Sequence, residues 1–358
     1  PQWNYLIEPE NTEFDQAIRN NKLYLVGQNI YEEFVERILF DQLPIVYLEG
    51  YSELQKKLAE NPWPKSPKVI FSSNPEIGND YYKAYAAAKV ERGSKLVIGQ
   101  HGGHYGVGLW SFSEDHHLAI ADKYFSWGWS EPAVSKIVPI GQLKNKKLIG
   151  IDHFQNNRLL LVTSTMPRYS YHMYSATVSR QWLDYLEDQF SFCKTLSDEV
   201  KQYLKVRLYA QDYGWDQVSR WQDRFPEIEL DHGKTSMLER IKECRIYVST
   251  YNATTYLESF TMNVPTVIFW NPNHWEIRKS AEPYFEALEE VGLFHTTPES
   301  AAKHVSEIWN DVNSWWYSNS VQEVVEEFKQ QYSRVPAKLL GKIHRELTEL
   351  RESTDSSA

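Results

Sequence analysis

Short apolar runs typical of β-strands alternate with segments of helical spacing, and this alternation constrains the fold more than any other feature of the sequence. In the first half the predicted strands are Leu23–Gly27, Ile45–Gly50, Val69–Asn74, Leu96–Gly99 and Tyr124–Trp129. Helical patterns such as "YEEFVERILFDQL" and "NDYYKAYAAAKVERG" separate them, and Gly93 is a plausible stop for the second. Continuous apolar strands separated by helices indicate a parallel sheet that is covered on both faces.

The same pattern starts again after about residue 150. The second series of predicted strands comprises Arg158–Thr165, Val206–Asp212, Ile228–Asp231, Arg245–Thr250 and Pro265–Trp270. Two series predict an α/β protein with two Rossmann-like domains that face each other across a cleft. The predicted limits are 1–148 and 149–320 for these domains and 321–358 for C-terminal helices and a tail, with helices that cross back to the first lobe. The polar stretch Gly141–Arg158 is the expected linker.

Charge and cysteine content exclude several classes of protein. The formal net charge of −10 argues against a broad nucleic-acid-binding surface. Cys193 and Cys244 give neither a disulfide framework nor zinc spacing, so a reducing cytoplasm is expected. No apolar run reaches transmembrane length. The first residue is Pro1 rather than Met, which fits a piece excised from a longer protein.

A glycine-rich segment, "LVIGQHGGHYGVGLW" (Leu96–Trp110), follows one predicted strand of the first domain. Open parallel sheets bind ligands at the carboxyl ends of their strands, so Gln100 and His101 are expected to point into that space. Gly102 and Gly103 are expected to bring the loop close to a ligand. His101 could hydrogen-bond a substrate or act as acid or base near neutral pH, and a structural histidine in a turn is the alternative.

The histidines of this region do not predict a metal site. His104 is expected to be structural, and His116 and His117 follow nearby. No cysteine and no clear carboxylate pattern completes a ligand set around them. We therefore expect neither a metal nor any other cofactor.

Charged residues also follow the predicted strands of the second domain, where no GxGxxG fingerprint occurs. Arg168 is placed to meet a phosphate beside a helix N-terminus, unless it is a solvated loop residue. Asp212 could contact a base, a ribose or a sugar, or it could cap the next helix. Asp231, His232 and Lys234 combine an acid, a titratable base and a cation, and a plain polar turn is the alternative.

The segment "STYNATTYLES" gives the sharpest signal of a binding site. It places Thr250, Asn252, Thr254 and Thr255 at a predicted helix start, with Glu258 one turn later. Hydroxyls and free N–H groups at a helix N-terminus bind anions, and a carboxylate one turn on can hold a ribose diol. The alternative is an ordinary N-cap with Glu258 in a capping box.

Several of these motifs together resemble a known family. "GQHGGHYG", "SWGW", "MPRYSY", "YAQDYGW", "STYNATTYLES" and "HTTPESAAKHVSEIWNDVNSWW" are similar to segments of bacterial surface-carbohydrate transferases of the O-antigen type. These are GT-B glycosyltransferases related to capsule and lipopolysaccharide Kdo transferases, which use CMP-activated ulosonic acids. The likeness covers roughly Val69 to Trp316.

The resemblance implies a GT-B fold with an acceptor-side first domain and a nucleotide-sugar-binding second domain. It implies that the nucleotide and its phosphate are held by Arg168, Lys234, Thr250, Asn252, Thr254, Thr255 and Glu258. The loop with Gln100, His101, Gly102 and Gly103 would face the sugar across the cleft. The enzyme would work without a metal, because helix N-termini and cations can stabilise the leaving phosphate.

The acceptor hydroxyl needs a general base, or a retaining enzyme needs a carboxylate nucleophile. The candidates are the carboxylates Glu114, Asp115, Asp212, Asp231 and Asp80, while His101 could act as acid or base and Gln100 beside it is a further expected catalytic residue. The sequence leaves open which carboxylate acts and whether the reaction inverts or retains configuration.

The implied partners are a nucleotide-sugar donor, with CMP as the expected nucleotide, and a glycan or lipid-linked glycan acceptor, but no nucleic acid. The expected location is the cytoplasm, with the inner face of the membrane as an option. The segment "AKLLGKIHRELTELRES" carries mixed charges, so a crossing helix is favoured over attachment to a membrane surface. Three alternatives stay open: a UDP- or GDP-hexose transferase, a hexosamine 2-epimerase, and a non-catalytic carbohydrate- or nucleotide-binding lobe of a larger synthase.

Overall fold

A computed structural model describes residues 12–20, 28–142, 156–169 and 174–355, with side chains to residue 353. The chain divides into two compact units, one of residues 1–70 and 74–95 and the other of residues 71–73 and 96–358. The predicted strand Leu23–Gly27 and most of the expected linker lie outside the described residues. The domain limits at residues 148 and 320 stay a prediction.

The first unit is built mainly from helices. They are α1 (Gln16–Asn20), α2 (Ile30–Gln42), α3 (Tyr51–Glu60), α4 (Pro75–Gly78) and α5 (Asp80–Val90), with the strand β1 (Val69–Ser72) at the boundary between the units. A buried ion pair stabilises the unit: Arg19 binds both carboxylate oxygens of Glu49, at 2.6 and 2.8 Å. The predicted helices over residues 30–42 and 80–90 are confirmed.

The predicted strand Ile45–Gly50 is wrong. The segment instead forms a 3-10 turn over Ile45–Tyr47, and the carbonyl oxygen of Ile45 accepts the N–H groups of Leu48 and Gly50 at 3.2 and 2.8 Å. Pro44 precedes this turn with φ −57°. The segment has the apolar side chains typical of a strand. Its backbone N–H groups, however, bond within the turn and not to a neighbouring strand.

The second unit contains most of a four-stranded sheet with the order β1-β2-β3-β4. Its further elements are β2 (Lys95–Gly99), α6 (Phe112–Ile120), β3 (Lys123–Ser126) and β4 (Ile137–Pro139). The pairs β2·β3 and β3·β4 are parallel, as predicted. The predicted run Tyr124–Trp129 stops being a strand at Ser126, and Gly128 beyond it adopts φ +145°.

A six-stranded parallel sheet with the order β10-β9-β8-β5-β6-β7 forms the rest of the core of the second unit. Its elements are β5 (Arg158–Val162), α7 (Gln181–Thr195), α8 (Asp198–Lys201), β6 (Leu204–Arg207), α9 (Gln217–Arg224), β7 (Glu229–Asp231), α10 (Met237–Glu243), β8 (Cys244–Ser249), α11 (Thr254–Thr261), β9 (Thr266–Phe269), α12 (Glu282–Glu290) and β10 (Phe294–His295). Counted from β5, this is the doubly wound order 3-2-1-4-5-6. The strand order therefore reverses between β5 and β8, which predicts the ligand crevice at that point.

The C-terminal helices are α13 (Pro298–Ile308), α14 (Val312–Trp316), α15 (Asn319–Tyr332) and α16 (Leu339–Asp355). They cross back to the first sheet, as expected: Glu346 of α16 accepts a hydrogen bond from Lys123 Nζ at 2.7 Å. The segment between α15 and α16 bonds there too, since Arg334 N donates to Trp127 O at 2.8 Å. No helix of the described residues is long and apolar enough to span a bilayer.

Candidate functional site

Two buried polar groups lie just beyond the strands that flank the reversal of strand order. In the parallel pair β5·β8, Val162 is opposite Ser249. Thr165 and Asn252 each come three residues after these partners, and they are only 3% and 6% exposed. Among the described residues, neither the Thr165 hydroxyl nor Asn252 Nδ2 has a hydrogen-bond partner. Because a buried polar group without a partner costs about 1–3 kcal/mol, this pair marks a place built for a polar ligand.

The helix α11 begins beside Asn252, and no side chain caps its N-terminus. Its N-cap residue is Ala253, which makes no side-chain cap hydrogen bond. The alternative of an ordinary N-cap with a capping box is therefore not what the structure shows. Thr255 lies 3.3 Å from the Tyr251 hydroxyl, so its own oxygen is engaged locally. The uncapped N–H groups and the positive end of the helix dipole favour an anion here.

The glycine-rich loop comes to the same helix start. Gly103 N donates to Thr254 Oγ1 at 3.2 Å. A Cβ atom at Gly103 would lie 2.4 Å from the carbonyl oxygen of Ala253 and 2.8 Å from Leu257 Cδ1. The close approach that Gly103 allows is to the segment that begins α11, whereas the expected approach to a ligand stays a prediction. Gly102 is buried, and a Cβ there would lie 3.2 Å from the His104 ring.

Gln100 fixes this loop through the hydrogen bonds of its buried side-chain amide. It is 3% exposed, and its Nε2 donates to Gly102 O at 2.8 Å. Its Oε1 accepts from Trp127 N and from Trp129 Nε1, both at 2.8 Å. With its amide bonded on both sides, Gln100 positions the loop, while the neighbouring His101 is exposed.

The other histidines of the region pack against aromatic rings. Burial, together with the nearby charge of His101, lowers the pKa of His104 to about 4, so His104 is neutral at physiological pH. Its ring lies 4.2 Å from that of Tyr105. His117 is fully buried and stacks on Tyr105 at 5.8 Å, whereas His116 is exposed. Within the described ranges no group of three or more His, Cys, Asp or Glu side chains is arranged to hold a metal.

Glu114 lies in a buried ion pair behind the loop. The side chain is 2% exposed; Oε1 accepts from Arg278 Nη2 and Oε2 from Gly106 N, both at 2.6 Å. Arg278 also donates to Gly108 O at 3.1 Å, and its guanidinium lies 5.6 Å from the Trp129 ring centre. Burial raises the pKa of Glu114, and Arg278 opposes that rise. Glu114, predicted as a catalytic carboxylate, thus forms an ion pair with Arg278 and supports the loop through its bond to Gly106 N. Asp115, the next residue on α6, is exposed.

Asp231 is likewise held by cations. It accepts from Arg207 Nη1 at 2.8 Å, from Arg240 Nε at 2.7 Å and from Gly233 N at 3.0 Å. Burial raises the pKa of Asp231, and these bonds, led by that of Arg240, bring it below its ordinary value. The carboxylate therefore stays ionised and paired, with exposed Lys234 in the following turn.

Asp212 fits the alternative of a helix cap. Its two oxygens accept from Asp216 N at 2.8 Å and Gln217 N at 2.7 Å, at the start of α9. Arg168 is exposed, with its guanidinium 5.5 Å from the Trp215 ring centre and Nη1 3.4 Å from Gly214 O.

Two more predicted site residues have structural partners of their own. Thr250 is fully buried; its Oγ1 donates to Val162 O at 2.9 Å and lies 2.5 Å from the Tyr185 hydroxyl. Thr250 thus ties the end of β8 to β5. Asp80 begins α5 in the first unit and accepts a hydrogen bond from Tyr47.

Glu258 lines a pocket beside α11. The other lining residues are Gln142, Ser236, Met237, Leu238, Ile241, Thr261 and Met262. The pocket thus combines one carboxylate and a few polar groups with an apolar wall from α10 and α11, a composition typical of ligand sites.

Sequence reasoning missed Thr165, Gln142 and Arg278. Thr165 stands at the end of a run that was predicted to be strand throughout, although β5 ends three residues earlier. Gln142 falls in the expected linker, and Arg278 follows β9 in a loop without a recognisable motif. Position was the available signal for Thr165 and Gln142, which each come three residues after a strand, whereas nothing in the sequence marked Arg278.

Comparison with known proteins gives the family and the fold of this chain. No curated protein matches the sequence. Among solved structures, that of TarM is similar, with 12% identity and a TM-score of 0.50, over 83% of this chain and 58% of TarM. Two further structures are more distant in fold. One is a putative UDP-N-acetylglucosamine 2-epimerase from Listeria monocytogenes, with 13% identity and a TM-score of 0.45, over 83% of this chain and 84% of that one. The other is MurG from Acinetobacter baumannii, with 14% identity and a TM-score of 0.42, over 78% of this chain and 77% of MurG.

The likeness to TarM, with two parallel sheets and helical C-terminus, confirms the expected GT-B fold. The chain spans 58% of the length of TarM, so the likeness concerns the fold alone. A search of protein families matches residues 1–347, nearly the whole chain, to transferases, which confirms the expected enzyme class. The chain belongs to the LIC12162 family of transferases.

Proposed function

We propose that this transferase is a glycosyltransferase. It moves a sugar from a nucleotide-sugar donor, a CMP-activated ulosonic acid such as Kdo, onto a bacterial surface glycan. The nucleotide binds in the second Rossmann-like sheet at the β5/β8 reversal. The motif resemblance is what supports the cytidine nucleotide and the ulosonic acid, and these two assignments are the most specific part of the proposal.

One observation carries the proposal: two buried polar groups without partners among the described residues follow the paired strands β5 and β8, one of them next to an uncapped helix start. Asn252 Nδ2 and the Thr165 hydroxyl are hydrogen-bond donors, and α11 adds its first N–H groups. Donors of this kind at a helix N-terminus suit a phosphate. Since the leaving phosphate gains negative charge as the glycosidic bond breaks, fixed donors there stabilise the transition state.

The pocket beside α11 supplies room for the nucleoside. Glu258 faces it one helical turn after the phosphate donors at the helix start. A carboxylate there can accept hydrogen bonds from both hydroxyls of a ribose. The apolar wall of Met237, Leu238 and Met262 suits the face of a base.

His101 is the proposed acid–base group. It lies on the loop whose neighbour Gly103 contacts Thr254 at the helix start, and it is exposed. Asp231 is a poor proton acceptor because its bonds to Arg240, Gly233 and Arg207 lower its pKa, and both oxygens of the buried Glu114 are already bonded, to Arg278 and Gly106 N. The reaction is proposed to need no metal, because the phosphate donors above provide the charge stabilisation.

Asn252→Asp tests the phosphate site. The change keeps the oxygen that accepts from the Tyr256 hydroxyl at 3.1 Å and replaces the Nδ2 donor by a negative oxygen. Binding of CMP, measured by calorimetry, should weaken about 10- to 100-fold, because a hydrogen bond to a charged group contributes about 1.5–3 kcal/mol. Because Asn252 is buried and a buried carboxylate loses hydration, which the helix dipole offsets only in part, the melting temperature of the variant is measured beside its affinity.

Asn310→Asp, at an exposed position, is the matched control and should leave binding unchanged. A panel of CMP, CDP, UDP and GDP identifies the nucleotide, and donor turnover with and without EDTA tests the need for a metal. Unaltered CMP affinity in folded Asn252→Asp would move the phosphate away from α11. Preference for UDP or GDP would replace the cytidine donor by a hexose donor, and loss of turnover with EDTA would refute metal independence.

A further inference from the structure

Gln142 contributes a buried amide to the pocket beside α11. The residue follows β4 and is 0% exposed. Neither its Nε2 nor its Oε1 has a hydrogen-bond partner among the described residues. An amide that is shut off from water and left without partners is costly, since each missing bond costs about 1–3 kcal/mol. Such a group points to a ligand that completes its bonds.

The backbone holds Gln142 firmly in this place. Gln142 N donates to Arg334 O at 2.7 Å. The preceding Gly141 adopts φ +128°, and a Cβ there would lie 2.6 Å from Pro336 Cδ. The segment between α15 and α16 therefore fixes the residue from which the amide projects, so the amide is preorganised and few of its degrees of freedom remain to be lost on binding.

The chemistry of the amide matches that of a nucleobase edge. A glutamine amide presents one donor beside one acceptor. Cytosine offers N4–H₂ beside N3, and uracil offers N3–H beside O4, so either pyrimidine can make two parallel hydrogen bonds with the amide. On the other walls of the pocket, Met237, Leu238 and Met262 are apolar and suited to the faces of the ring.

We propose that Gln142 is a specificity-determining residue that reads the hydrogen-bonding edge of a pyrimidine base in the pocket beside α11. The inference rests on the proposed function, because it assumes that the pocket holds the nucleoside of the donor. It assigns base recognition to a residue from the first sheet, whereas the phosphate donors come from the second.

Gln142→Met tests the inference, because methionine keeps the length of the side chain and removes both polar atoms. The probes are CMP, UMP, GMP and ribose 5-phosphate, which has the ribose and phosphate but no base. Calorimetry on the full chain should show CMP bound about 10- to 100-fold more weakly by the variant, the effect of two lost hydrogen bonds. The affinity for ribose 5-phosphate should change less than about threefold.

Two further variants sharpen the result. Gln142→Glu accepts hydrogen bonds but no longer donates one, so it should weaken the binding of CMP and of UMP by about tenfold each, the effect of one lost hydrogen bond. Gln202→Met makes the same change as Gln142→Met at an exposed position and should leave every affinity unchanged.

Each outcome decides between the two claims. If Gln142→Met weakens the binding of CMP and of ribose 5-phosphate equally, or the binding of neither, Gln142 does not read the base. The inference then fails, while the proposed function stands. If wild-type protein binds ribose 5-phosphate as tightly as CMP, no base is read and the inference fails again. If wild-type protein binds none of the four probes, the proposed nucleotide site fails and takes the inference with it.

Discussion

Replacing Arg278 by methionine should destabilise the protein strongly, because it leaves Glu114 buried without its cation. Glu114 is 2% exposed, and after the change only Gly106 N, at 2.6 Å, would still bond its carboxylate. Breaking a buried pair by removing one partner costs about 3–5 kcal/mol. If the second unit, residues 71–73 and 96–358, unfolds cooperatively, that corresponds to a fall in melting temperature of about 5–9 °C.

The pH dependence of this loss separates charge from packing. Burial raises the pKa of Glu114 and Arg278 opposes the rise, so the pKa in Arg278→Met must be higher still. A carboxyl with a raised folded pKa is destabilising when ionised, and the penalty disappears as the pH falls through that pKa. The difference in melting temperature between wild type and variant should therefore shrink between pH 7.5 and pH 5.

Calorimetric or fluorescence melting of four proteins checks the reasoning. Arg224→Met is the matched control, because Arg224 pairs with Glu187 at 3.3 Å with both side chains about half exposed, and such pairs contribute about 0–1 kcal/mol. Adding Glu114→Gln to Arg278→Met should recover part of the lost stability, since no buried charge remains. A fall no larger than that of the control, or a fall independent of pH, would refute this account of the pair.

Three further changes have expected outcomes. Gly103→Ala places a Cβ 2.4 Å from Ala253 O and should lower the free energy of unfolding, measured in urea, by about 1–3 kcal/mol. In the control Gly341→Ala, in α16, the added Cβ meets nothing within 4 Å, so the stability should be unchanged or higher. Equal effects of the two changes would contradict the close contact at Gly103. His101→Ala should lower kcat about 10²–10⁴-fold with nucleotide Kd unchanged; normal turnover would exclude His101 from the chemistry. Burial and neighbouring carboxylates raise the pKa of Asp188 to about 6, so the Asp188 charge destabilises the fold above that pH. Asp188→Asn should accordingly raise the melting temperature at pH 8 more than at pH 4.5, and a gain that is constant with pH would show the assignment to be wrong.

Most strands of both sheets could be predicted because they are short apolar runs between helices. β4 and β10 were missed because they have only three and two residues, and β4 ends in Pro139. Ile45–Tyr47 was mistaken for a strand because its turn depends on hydrogen bonds to one carbonyl, which composition does not show.

The partners of the site residues were much harder to foresee than the strands. Glu114 and Asp231 looked like free acids because Arg278 and Arg240 reach them only in the folded chain. The hydroxyl-rich helix start was foreseen with Asn252 at its edge. The matching position of Thr165 depends on the register of β5 with β8, which no local pattern encodes.

The return of the C-terminal segment to the first sheet has a consequence for synthesis on the ribosome. Gly128 and Gly141 pack against residues near 330–336, where an added Cβ would lie 2.4 Å from Gln330 O and 2.6 Å from Pro336 Cδ. At about 5–20 residues per second, these partners emerge roughly 10–40 s after the first sheet has been made. During that interval the surface around Trp127 lacks its final cover. A nascent chain of this protein is therefore expected to need protection, such as chaperone binding, until residues 330–336 have emerged.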